Sequence, residues 1–182
     1  MELNRFSLAQ RLLHWLIALT ALGLLAVGLI FMVLGYDSTV ATFGDAVTNA
    51  LYKYHKTFGI VILLLMLLRV VLRWRLPVPA YQPPLAPFDR VASRVVHILF
   101  YVLLIAMPIV GWLATAAGGY PIQFFEYKLP GLIGKDEALS QTLYQIHGVG
   151  GLLLLFLIAL HVAAAIRHML RKDGVIRRIS LP

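Results

Sequence analysis

The 182 residues include no cysteine. That absence excludes disulfides, thiolate-held iron–sulfur clusters and the C-x-x-C-H attachment of a c-type haem. Charge is scarce as well, at 13% of residues against about 25% in soluble domains. Acidic residues are the scarcest part of it, with 8 Asp and Glu against 16 Lys and Arg. So little charge cannot cover a water-facing globular surface. Apolar residues take its place: 60% of the chain is hydrophobic and the mean hydropathy is +0.84. A lipid bilayer, rather than a large aqueous core, is expected to cover that surface.

Roughly 20 apolar residues cross the hydrocarbon of a membrane at about 1.5 Å per residue. Segments 12–34, 95–125 and 138–166 contain no Asp, Glu, Lys or Arg. The first is too long for a signal-peptide core and lacks a following A-x-A pattern, so it is expected to stay in the protein. In the second, Gly118, Gly119 and Pro121 end the helical pattern, and Pro108 is expected to kink it. A further span is interrupted sooner by Lys56 and Arg69. It is extended to 50–74, with Arg69 and Arg73 snorkelling or paired with an acid. The reading is an all-α integral membrane four-helix bundle in a single domain 1–182, with helices 10–34, 50–74, 90–116 and 141–170. Five prolines between 76 and 88 (Pro77, Pro79, Pro83, Pro84 and Pro87) demand an extended connector. Segments 35–49 and 117–140 are the other connectors.

Twelve of the 16 basic residues fall on one side of these spans, at the N-terminus, around the proline loop and in the C-terminal tail. The other side has only Lys53, Lys56, Lys128 and Lys135. The positive-inside rule then places both termini in the cytoplasm. The net charge of +8 is read as a topology signal and a contact for anionic headgroups. No soluble nucleic-acid-reading module is visible, so nucleic acid is not an expected partner.

The six histidines, His14, His55, His97, His147, His161 and His168, all lie in or beside the spans. An ionisable side chain at membrane depth is a functional candidate by default. His147 and His161 are fourteen residues apart on one helix. They leave it within about 40° of each other and about 21 Å apart along the axis. By depth, His55 pairs with His147 on the outer side and His14 with His161 on the inner side. Two facing imidazoles are what a six-coordinate, non-covalent b haem requires. The plain alternative is interfacial residence, which for His55 alone is equally supported. His97 has three open readings: ligand, quinone hydrogen-bond donor or packing residue. His168 is read as interfacial. Gly59, Gly148, Gly150 and Gly151 suit close approach of a flat macrocycle or of another helix. Arg69 is a candidate partner for haem propionates. Lys53 and Lys56 flank His55 and form a candidate attractor for a small anion, or else two solvated interfacial lysines.

These pieces, read together, resemble the bacterial cytochrome b561 family. The matching residues are R-L-L-H-W (11–15), Y-H-K-T-F-G-I (54–60), R-V-V-L-R (69–73) and the proline loop. H-I-L-F-Y-V-L-L-I-A-M-P-I-V-G-W (97–112), I-H-G-V-G-G (146–151) and L-H-V-A-A-A (160–165) complete the set. The resemblance implies a di-haem cytochrome of the bacterial inner membrane, with His14, His55, His147 and His161 as haem-iron ligands. It also implies electron exchange with ubiquinone, and in one member type oxidation of superoxide on the outer side. Related cytochrome b subunits anchor hydrogenases and formate dehydrogenases, so an electron conduit within a larger complex is the rival reading. A haem-free transporter or scaffold is the other.

Overall fold

A computed structural model describes residues 5–82 and 84–181; Pro83 of the proline loop lies outside the described residues. Three long helices, α1 (Leu8–Arg75), α2 (Pro87–Ala117) and α3 (Glu137–Arg171), make up most of it. Each is long and apolar enough to cross a membrane. Two short strands, β1 (Ile122–Phe124) and β2 (Tyr127–Leu129), and a 3-10 turn at Ile176–Arg178 complete the described chain.

Helix α1 has 68 residues. Drawn straight it would run about 100 Å, roughly three times the thickness of the hydrocarbon. It is not straight, because Gly35 and Gly44 have φ of 70° and 79° inside it. Its ends come together: Arg69 lies 3.5 Å from His14, and Phe31 stacks on Tyr52 at 3.9 Å. The helix therefore folds back into two antiparallel limbs, 8–34 and 45–75. The connector expected at 35–49 is mostly helical, and its reversal is concentrated at two glycines. Only glycine takes positive φ without steric cost. Between them, Thr39 and Thr42 donate to the carbonyls of Gly35 and Ser38, keeping the intervening turn helical.

Local signals fix the other ends. Ser7 and Gln10 form a capping box at the start of α1. Pro87 opens α2 and Asp136 caps α3 by accepting from the Leu139 amide. Both helices consequently start about one turn earlier than hydropathy indicates. Helix α2 continues through Pro108 to Ala117. Ser140 donates to the Ala114 carbonyl at 2.9 Å, a buried cross-link between α3 and α2.

The third connector is not a plain loop. Strands β1 and β2 pair antiparallel, with Ile122 opposite Leu129. The fully buried Thr57 of α1 holds this hairpin. Its hydroxyl accepts from the Phe125 amide at 3.1 Å and donates to the Gln123 carbonyl at 3.4 Å. Lys56 donates to the Pro121 carbonyl, and Lys53 pairs with Glu126.

Leu13, Ile17 and Ala21 from one limb of α1 pack with Ile62 and Met66 from the other, Leu104 from α2 and Leu154 from α3. This core occupies mid-bundle. At the end away from the hairpin the two termini meet. The Phe6 amide donates to the Arg178 carbonyl, Arg5 and Arg11 donate to the Ser180 carbonyl, and the Trp15 indole donates to the Ile179 carbonyl.

Candidate functional site

Among the described residues a cavity opens toward each end of the bundle. The hairpin-side cavity, of about 1210 Å³, is lined by His55 and His147. The terminal-side cavity, of about 1310 Å³, is lined by His14, His97, His161 and His168. The fold thus sorts all six histidines into two levels.

At the hairpin side, the His55 and His147 ring centres are 6.1 Å apart. His55 comes from the second limb of α1 and His147 from α3. The Nδ1–H of His147 donates to the Met107 carbonyl at 3.2 Å. A carbonyl only accepts, so this bond leaves the Nε2 lone pair of His147 free. His55 Nδ1 is buried and has no hydrogen-bond partner among the described residues. Two glycines seat these rings: a Cβ on Gly111 would lie 3.0 Å from the His147 ring, and one on Gly28 3.5 Å from the His55 ring. Neither is identifiable from sequence spacing. Of the glycines that spacing singled out, Gly59 and Gly151 border the cavity and face open space, while Gly148 and Gly150 abut Met32 and Met107.

At the terminal side, the His14 and His161 ring centres are 6.3 Å apart. His97 stands 5.5 Å from the His161 ring, and its Nδ1–H donates to the Ser93 carbonyl at 2.6 Å. Arg69 finds no acid among the described residues. It sits 3.5 Å from His14 Nδ1, beyond normal hydrogen-bond range, so it leaves that ring's tautomer open. His168, in the last turn of α3, is bonded to Asp173 just past the end of that helix. Burial works against the charge on Asp173. The bonds from His168 and the Val175 amide outweigh it and hold the carboxyl below its ordinary range. Lys53 and Lys56 both border the hairpin-side cavity. Glu126 offsets the charge of Lys53, and Lys56 faces only a carbonyl.

An apolar helical bundle with histidine pairs at two levels defines a class, the membrane-embedded helical cytochromes. The chain belongs to the prokaryotic cytochrome b561 family, whose sequence profile matches residues 5–180. It is 28% identical to cytochrome b561 homolog 2 of Escherichia coli K12 over 178 residues, 97% of this chain and 91% of that one. It is 25% identical to cytochrome b561 homolog 1 of the same organism, with 97% of each chain covered. A probable superoxide oxidase, CybB of Yersinia pestis, is 31% identical over 126 residues, 69% of this chain and 72% of that one. The protein is therefore a membrane b-type cytochrome: it binds haem b and transfers electrons.

Proposed function

We propose that this cytochrome holds two haems, His55 and His147 gripping one and His14 and His161 the other, and carries electrons from an outer-face donor to ubiquinone. The observation that carries this reading is the pair of ring separations, 6.1 and 6.3 Å, each beside its own cavity. Metal–imidazole bonds of about 2 Å on either side of one iron, with each ring centre about 1 Å further back, require about 6 Å. Among the described residues no cluster of three or more His, Cys, Asp or Glu suits a bare metal ion. The two donors of each pair, His55 with His147 and His14 with His161, suit an iron whose remaining ligands a macrocycle would supply. The unpartnered His55 Nδ1 and the open space in front of Gly59 and Gly151 support the same fit.

Haem b supplies reversible one-electron storage when bound. The chain supplies everything else. His147 is oriented by Met107, and Gly111 and Gly28 keep its ring and that of His55 seated. Leu154, seven residues from each α3 histidine, belongs to the apolar core between the two levels and excludes water there. The folded α1 together with α2 and α3 supports four membrane crossings. The basic end bearing both termini faces the cytoplasm of a bacterial inner membrane.

For the donor, superoxide is favoured by the likeness to the probable superoxide oxidase and by Lys56, a cation beside His55 with no acid attached. Two superoxide ions would each give up one electron and leave as dioxygen. One ubiquinone would take both electrons and two protons to become ubiquinol. His97, with its Nδ1–H committed to Ser93, presents an Nε2 lone pair that would accept from an O–H of the ubiquinol rather than donate to the quinone.

Haem quantitation with a reduced-minus-oxidised spectrum tests the reading. Two b haems per chain are expected, reducible by superoxide and reoxidisable by a ubiquinone analogue. His55→Ala or His147→Ala should remove one haem, and His14→Ala or His161→Ala the other. Full bis-histidine haem content in those four variants would overturn the assignment.

A further inference from the structure

Arg178 sits near the end of the C-terminal tail and is only 7% exposed. Its guanidinium lies 3.6 Å over the Tyr81 ring and 5.2 Å from the Phe6 ring. One N–H donates to the Pro79 carbonyl, while Nε is buried with no partner among the described residues. Among the described residues no carboxylate lies within ion-pair distance of it. Asp89 is taken by Arg167 and Asp173 by His168. A buried cation without a counter-ion is an incomplete site, because desolvating a full charge is costly unless it is paired. Arg178 also lines the terminal-side cavity, together with Arg69, Arg73 and the His14–His161 pair.

We propose that Arg178 binds a carboxylate inside the terminal-side cavity, and that this carboxylate is a propionate of the haem held by His14 and His161. The proposal rests on the two-haem reading. A guanidinium offers a planar fork matched to a carboxylate. Tyr81 and Phe6 hold the plane of that fork and Pro79 takes one of its donors, leaving Nε and the remaining N–H groups for the anion. The 3-10 turn at Ile176–Arg178, pinned by Phe6, Arg5, Arg11 and Trp15, is then part of a cofactor site. The phosphate of an anionic lipid headgroup is the other source of matching anionic chemistry.

The test is redox titration and haem counting on the full-length protein in neutral phosphatidylcholine nanodiscs. Arg178→Gln should make one haem harder to reduce by tenfold or more, which is 59 mV for one electron. That haem should be the one surviving in the His147→Ala background. Arg178→Lys keeps the charge without the fork and should shift the same haem less, which also covers the case of a glutamine variant that does not fold. Arg177→Gln, an equal charge change at the exposed neighbour, should shift neither haem. Two unshifted haems in the Arg178 variants would overturn the proposal and leave the two-haem reading standing. A shift seen only with phosphatidylglycerol present would assign the anion to lipid and overturn the propionate assignment. A colourless wild-type protein would overturn both.

Discussion

At the scale of the residue, two glycines do work that a side-chain inventory does not show. A Cβ at position 111 would stand 3.0 Å from the His147 ring. Gly111→Ala should therefore displace a buried ring at a cost of about 1–3 kcal/mol. The expected result is a fall in haem content confined to the hairpin-side level, read by pyridine haemochrome and visible spectrum. Gly23→Ala is the control, since open space surrounds Gly23. It should be neutral or mildly stabilising, because alanine suits a helix interior better by about 1 kcal/mol. That His147 and His161 lie at two ends of one helix was legible in sequence from their fourteen-residue spacing. Their nearness to His55 and His14 is what the structure adds; ligation of haem by these four stays a proposal. Gly111 and Arg178 were not legible. Gly111 meets His147 only through packing 36 positions away, and Arg178 reads in sequence as one more topology charge.

At the scale of the element, hydropathy located the apolar segments but not how the first two join. Residues 35–49 hold Asp37, Ser38, Thr39 and Asn49, which read as a loop. The chain stays helical there and turns at Gly35 and Gly44 instead. Gly35→Ala or Gly44→Ala should each cost about 1–3 kcal/mol, because φ of 70° and 79° with extended ψ is a conformation essentially only glycine enters, measured as a lower melting temperature of the detergent-solubilised protein. The hairpin was equally hidden: its turn uses Phe125 at φ 52° rather than an Asn-Gly or Asp-Gly signal. Thr57→Val leaves the Phe125 amide without its partner. It should cost about 1–3 kcal/mol and expose the hairpin to limited proteolysis before the helices. The Asp173 clasp behaves as a depressed carboxylate: it stabilises the tail above the ordinary carboxyl value of 3.8 and loses that contribution as pH falls below it. Protease sensitivity of the tail should rise in that acidic window.

At the scale of the whole molecule, the N- and C-terminal segments hydrogen-bond to each other at the end opposite the hairpin. A fluorescent protein fused to the C-terminus should light up in the cytoplasm, and an alkaline phosphatase fused after Pro130 should be active outside it. The reverse pattern would invert the proposed orientation. Helix α3 crosses from one histidine level to the other without a break. However the loops, the hairpin or the tail change, a single stiff rod acts as the ruler between His147 and His161. Tunnelling rates decay steeply with separation. Because this gap is written into one uninterrupted run of peptide units, traffic between the two proposed haems would keep its pace while either doorway is remodelled.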